Sequence, residues 1–513
     1  MKLMSGFHSA FGQAPLSWGQ SSGTSFRRGL PREAKPLAAV AAALLGALLV
    51  GMYSTHLSTR MPLVIVAAGG LFWLVAKRPR WGVVFLLALT STLVLPEYFT
   101  RWMSDNLAYE MYLLVLLLLL VRALAIKSRP GVFERIVSSP VAIALITFMA
   151  LVLAKSLVVL IESRFSRHSL SSIFLVDRPL LLYLLFIPAL LFFESVRSQR
   201  WLVGAMLVLG AVTVGVGLLS LILHNSYLGQ FMSAQSLQTD TPDVSSLVER
   251  LRPPGDALML FGFWIGIINL VIRPWAWKQV AVFVPLTMLM LTGVILEFNR
   301  SYIVPMAGLL LLAVFINRKN VRMKLLAVGA VAAVILLLFA SATGTLDKYV
   351  NAAVVRYGTT FSSSSLDAQS LVSRQIEDGY AWTAISGSPA FGIPIDELYR
   401  PAVPNMMNNL RWYIHDAYIW FWTYFGLAGL AAFVAVLGAS LLRVVMNWSR
   451  IADPLLQATV LGIGFALVTL VAADFFAPKF YEFQTVPVVA LAAGLVEAVI
   501  QAQKRDAGQA VGK

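Results

Sequence analysis

A chain of 513 residues with 58% hydrophobic and only 13% charged residues has too little polar surface to cover a soluble fold, in which about a quarter of residues are charged. The formal charge of +15 does not mark a nucleic-acid binder, because the Lys and Arg fall mainly in short connectors between apolar blocks, where they orient a membrane protein. There is no cysteine, which excludes disulfides, thiolate nucleophiles and thiolate metal ligands.

Residues 1–35 are polar, rich in Ser, Gly and Gln, and close with a basic cluster (Arg27, Arg28, Arg32, Lys35) just before the first apolar block. They read as a disordered cytoplasmic leader rather than a cleaved signal peptide. Apolar blocks then begin near Leu37, Leu63, Trp81, Met111, Val141, Leu180, Leu202, Leu258, Val280, Ile303, Leu325, Tyr418, Leu455 and Val486. Each is close to the ~20 residues that a helix needs to span hydrocarbon. Backbone groups in lipid must be satisfied internally, so each block is expected to be a helix.

The expected fold is all-α: a polytopic bundle of about fourteen transmembrane helices with one large, partly helical outside loop. Eleven spans occupy 36–342, the loop 343–414, three spans 415–500 and a tail 501–513. Placing both termini inside puts most of the 40 basic residues on that side, among them Lys77, Arg78 and Arg80, Arg197 and Arg200, Arg443 and Arg450, and Lys504 and Arg505. That alternation predicts cytoplasmic N- and C-termini.

Three outside segments are long: 162–178, 224–256 and about 344–415. In the last, Val372, Ile376 and Tyr380 recur at i, i+4, i+8 while Arg374 and Asp378 pair on another face. This predicts an amphipathic helix that lies on the membrane or packs over the span mouths. It ends at Gly387-Ser388-Pro389, and Gly392 with Pro394 carries the chain on in irregular form.

Candidate chemistry gathers on the outside. Lys155 sits about two turns below the outer end of its span, and Arg178 follows Asp177 at the mouth of the next. Arg250 and Arg252 lead into the span that begins near Leu258, and Arg300 stands with Ser301 in a very short turn between two spans. Such arginines either snorkel and pair with Glu249, Asp256 or Glu297, or they form an anion clamp, since guanidinium grips phosphate through a planar fork. The densest polar and aromatic run is Arg411-Trp-Tyr-Ile-His415-Asp416-Ala-Tyr418, followed by Gly426 and Gly429. Asp416 reads as an N-cap and the aromatics as an interfacial belt. The other reading makes His415 a general base, its ordinary pKa lying near neutrality. No HExxH, Walker or GxGxxG pattern appears, so neither a metal nor a nucleotide cofactor is expected.

In this order and on this side, these residues resemble the O-antigen ligase and O-antigen (Wzy-type) polysaccharide polymerase superfamily of bacterial membrane proteins. The matching positions are Arg252 or Arg250, Arg300 with Ser301, the loop with its Ser388–Gly392 turn, His415-Asp416, and Gly426 with Gly429. The likeness covers roughly 245–430 and is only hydropathic elsewhere. Here the arginine precedes its serine, Asp rather than Asn follows the histidine, and a Pro-Asn element after the first arginine is absent.

The resemblance implies metal-independent glycosyl transfer at the periplasmic face of a bacterial inner membrane. The donor would be a glycan on polyprenyl diphosphate and the acceptor a sugar hydroxyl, with His415 as base. Arg300 and Arg252 or Arg250 would hold the diphosphate, with Asp416, Arg178, Arg411 and Tyr418 as further substrate contacts. A flippase and a chain-length regulator would be partners, membrane lipid a neighbour and nucleic acid none. Two other classes fit the hydropathy. A lipid-linked oligosaccharide flippase or secondary transporter would show internal repeats and mid-membrane charges, and a noncatalytic scaffold would not need His415 or Arg300.

Overall fold

The computed structural model describes residues 70, 73–75, 77–91, 105–125, 131–164, 167–223, 235–236, 249–250, 255–273, 277–297, 299–316, 329, 366–401 and 411–511. The first helices are α1 (Pro79–Ser91), α2 (Asp105–Ala125), the short α3 (Val132–Val137) and α4 (Pro140–Glu162). Helix α5 (Arg167–Leu181) passes through a 3₁₀ turn (Leu182–Leu185) into α6 (Phe186–Phe192), and α7 (Val196–Leu223) follows. A two-residue antiparallel pair, Gln235–Ser236 with Glu249–Arg250, lies within the 224–256 segment. Then come α8 (Asp256–Ile272), α9 (Trp277–Leu296), α10 (Arg300–Ile316), α11 (Leu366–Gly387), α12 (Ala417–Asn447), α13 (Pro454–Ala473) and α14 (Val486–Val511).

The protein is helical, and among the described residues six helices are long and apolar enough to cross a membrane: α4, α7, α9, α12, α13 and α14. The blocks expected to start near Leu37, Leu63 and Leu325 lie mostly or wholly outside the described residues, as does the 1–35 leader. The other blocks coincide with helices, several shorter than a full span.

Local chemistry sets the starts of these helices. Ser139 caps α4 by accepting from the Ala142 N–H, with Pro140 in the first turn. Asp453 caps α13 in the same way, accepting from the Leu455 and Leu456 N–H groups ahead of Pro454. Burial then sorts the helices. In α14, 89% of the apolar window is inside the bundle, against 33% in α4. Helix α14 is therefore the axis, while α4 shows most of its apolar side chains to the surroundings.

The two ends of the bundle differ chemically. At one end Arg135 bonds Glu194, the Leu190 carbonyl and Gln501, while Arg505 reaches the Glu194 carbonyl. There Arg80 also donates to the Phe192 carbonyl, Arg200 pairs with Asp453, and Arg443 pairs with the fully buried Glu497 of α14. At the other end lie the start of α14, the starts of α8, α10 and α12, and the segment 474–485 that ties them together.

Candidate functional site

The helix expected inside the long loop is present as α11, and it stops at Gly387 as its sequence predicts. The face turned into the protein carries Glu377, Ala381 and Ile385, and Val372 and Ile376 are turned outward. Glu377, 1% exposed, is thereby delivered to His415: its Oε2 lies 2.6 Å from His415 Nδ1. A carboxylate only accepts, so Nδ1 is the donor in this contact and Nε2 is the ring nitrogen left turned away from Glu377. Arg400, also buried, stands 3.9 Å from the other Glu377 oxygen and supplies the compensating positive charge.

A web of loop contacts fixes this pair. Arg400 Nε donates to the Tyr399 hydroxyl, which donates to the Tyr413 carbonyl. Arg411 Nε donates to the Arg400 carbonyl, so this arginine braces the segment that carries Arg400. The Tyr413 ring meets the His415 ring edge to face at 5.0 Å. Burial raises the Tyr413 hydroxyl above its ordinary range, so it stays protonated. Behind His415, the buried Ile414 carbonyl accepts from the Tyr481 hydroxyl at 2.5 Å, and Tyr481 stacks on Trp420 at 4.1 Å. His415 itself remains partly open, its side chain 28% exposed.

Asp416 caps α12: its Oδ1 accepts from the Tyr418 and Ile419 N–H groups. Burial raises its carboxyl above the ordinary range, and those two N–H groups oppose that shift. The Tyr418 hydroxyl turns to α13, where it donates to the Val471 carbonyl.

Arg300 opens α10 and is half-buried. The turn before it is built by Asn299, whose Oδ1 accepts from the Ser301 N–H and hydroxyl and whose Nδ2 donates to Glu297. One turn of chemistry connects this arginine to the histidine. Tyr302 donates to Asp256 Oδ2 at 2.9 Å, and Lys479 donates to the same oxygen at 2.6 Å and to Glu482 at 2.8 Å. Tyr481, two residues on from Lys479, bonds Ile414 next to His415. Despite burial, which acts in the opposite sense, Asp256 and Glu482 push the Lys479 ammonium above its ordinary range. Arg300 and His415 thus belong to one end of the bundle.

Other candidates are placed less closely. Arg178 ends α5, half-buried. Arg250 lies in the short β pair, nothing further is described of its side chain, and Arg252 lies outside the described residues. The Lys155 ammonium donates to the Phe391 and Gly392 carbonyls.

Sequence reasoning missed Glu377, Arg400 and Lys479. Glu377 sits between Ile376 and Asp378 and reads as one more polar position on an amphipathic helix. Lys479 had a signal, a lone cation in the short segment between two apolar helices, since a charge there needs a partner.

No protein-family model and no curated protein matches the chain.

Proposed function

We propose that the protein is a multi-pass membrane glycosyltransferase of the O-antigen ligase and polymerase type. It moves a glycan from polyprenyl diphosphate to a sugar hydroxyl at the periplasmic face of a bacterial inner membrane. In this reading the chain spans the bilayer fourteen times with cytoplasmic termini. The basic end of the bundle faces the cytoplasm, as the positive-inside bias favours. The single observation that supports the chemistry is the Glu377–His415 pair, in which Nδ1 of a partly open histidine faces the carboxylate and Nε2 is free of it to serve as the proposed base.

His415 Nε2 takes the proton of the acceptor hydroxyl, and that oxygen forms the new bond at the anomeric carbon. The anomeric C–O bond to the diphosphate breaks, and the polyprenyl diphosphate leaves with the electron pair. Arg300, joined where its side chain reaches by Arg252 or Arg250, stabilises the charge that builds on the leaving group. Glu377 is a positioning residue, which holds the ring tautomer and favours the imidazolium as it forms. Arg178 and Arg411 frame the same end, and Asp416 fixes the backbone that presents His415. A flippase that delivers the lipid-linked donor and a chain-length regulator are the proposed partners.

Purified protein given a polyprenyl-diphosphate glycan and an acceptor tests this reading. Wild type should transfer glycan, and His415→Ala and Arg300→Ala should each be slower by about 10²-fold or more. Equal rates in all three would refute it.

A further inference from the structure

Helix α12 is broken. Gly426 has φ +66° and ψ −173° in the middle of Ala417–Asn447, which frees backbone groups from the helical ladder. The turn after α11 fills the gap. Leu427 N–H donates to the Pro389 carbonyl, Ile393 N–H donates to the Thr423 carbonyl, and the Trp422 indole N–H donates to the Pro389 carbonyl. The approach is so close that a Cβ on Gly426 would lie 2.2 Å from the Ala390 carbonyl oxygen, and one on Gly392 2.6 Å from the Thr423 oxygen. Gly392 also has a positive φ of +70°.

Two helices report the depth of this turn. Gly426 lies nine residues into α12, about 13 Å along it, and Lys155 lies seven residues from the end of α4, about 10 Å. Lys155 donates to the Phe391 and Gly392 carbonyls at 2.8 and 2.9 Å. The turn is therefore sunk between two of the helices that are apolar and long enough to span a bilayer. Irregular backbone at that depth is stable where protein satisfies its polar groups, as it does here for the Pro389, Phe391 and Gly392 carbonyls and the Gly392 and Ile393 N–H groups.

The outward side of the same segment carries large apolar side chains beside the exposed Gln375, Thr383 and Ser386, and the last two turn their hydroxyls back onto the Gly379 and Trp382 carbonyls. Val372, Ile376, Trp382 and Phe391 are 51%, 38%, 46% and 73% exposed, while Glu377 on the opposite face is 1% exposed. For a helix in water this arrangement is inverted. The exposed stripe continues onto α12 through the Trp382–Trp422 ring contact and joins the exposed Leu427 and Val434 of that helix, with Leu157 and Val158 exposed on α4.

We propose that residues 372–393 are a membrane-inserted segment, with the outer face of α11 and Phe391 against acyl chains and the turn held as a re-entrant wedge by Lys155. The occupant of the apolar face is the bilayer, because that face is continuous with the exposed apolar surface of the spanning helices. Glu377 then reaches His415 from a helix that rests in lipid, so the site opens at the depth where a lipid-linked substrate carries its headgroup. The inference rests on the membrane topology proposed above and is independent of the transfer chemistry.

The chain has no cysteine, so single cysteines can be introduced on a clean background. Spin labels at Val372→Cys, Ile376→Cys and Phe391→Cys, with Leu427→Cys as lipid control and Lys504→Cys as water control, would be read in phosphatidylethanolamine–phosphatidylglycerol nanodiscs. Collision with oxygen, which concentrates in lipid, is compared with collision with a water-soluble nickel chelate. The three labels should follow Leu427→Cys, with Phe391→Cys the deepest. Nickel accessibility at all three with Leu427→Cys in lipid overturns the inference alone. Nickel accessibility at Leu427→Cys as well removes the membrane topology beneath it. Lys155→Met should increase the mobility of the label at position 391 several-fold and Lys155→Arg should not; no change with Lys155→Met refutes the clamp.

Discussion

Lys479 and Asp256 are 223 residues apart in the chain, yet the ammonium lies 2.6 Å from the carboxylate in a buried contact that Tyr302 and Glu482 share. This contact locks the segment that supports His415 to the helices that carry Arg300. A buried pair adds little over an apolar substitute, but breaking it by removing one partner strands a charge, at roughly 3–5 kcal/mol. Lys479→Met should therefore lower the denaturation temperature of the detergent-purified protein strongly. Adding Asp256→Asn, which keeps an acceptor for Tyr302, should restore much of the loss. A single variant as stable as wild type would show that the lock contributes nothing.

Glu377→Gln keeps the size of the side chain but can donate to Nδ1, which turns the histidine proton toward the substrate side. The expected result is a fall in kcat on the order of 10²-fold or more with KM little changed, as for an orienting carboxylate behind a histidine base. An unchanged kcat, or an effect confined to KM, would remove Glu377 from the proposed mechanism.

Gly426→Ala meets both a positive φ and a carbonyl oxygen 2.2 Å from the new Cβ. The positive φ alone costs about 1–3 kcal/mol. The wedge should be expelled from α12, seen as faster proteolysis within 388–393 and a lower denaturation temperature. Gly438→Ala on the same helix has open space around its Cβ and should be neutral or mildly stabilising.

Asp474 follows α13, is wholly buried, and burial raises its carboxyl well above the ordinary range. A carboxyl with a raised folded pKa is stabilising below its unfolded pKa of about 3.9, and that contribution is lost as pH rises through the folded value. Stability should thus decline with pH above the ordinary carboxylate range, and Asp474→Asn should flatten that decline. A variant with the wild-type pH profile would show that Asp474 does not carry it.

The helical character and most helix positions were legible because a membrane-type sequence writes its elements as apolar blocks separated by charge. The start of α12 was legible for the same reason: Asp416 ahead of an aromatic-rich helix is an N-cap, and the structure uses it as one. The loop helix was legible in extent but not in facing. Its apolar stripe, Val372 and Ile376, fits a protein core or lipid equally well by pattern. Only the third dimension shows that Glu377 points inward. Gly426 could be read as a motif glycine, but its physical reason lies in a turn more than thirty residues earlier. The partners of Lys155 were not legible, because the two carbonyls it bonds lie 236 and 237 residues away.

The central claim is that His415 drives a glycosyl transfer whose leaving group is polyprenyl diphosphate. Its most direct measurement counts polyprenyl diphosphate released per glycosidic bond formed, with chelator present, for wild type and His415→Ala in proteoliposomes. The account predicts equal release and bond formation in wild type, unaffected by chelator, with both collapsing together in the variant. Glycan transfer by His415→Ala at the wild-type rate, or bond formation without release of the diphosphate, would contradict it.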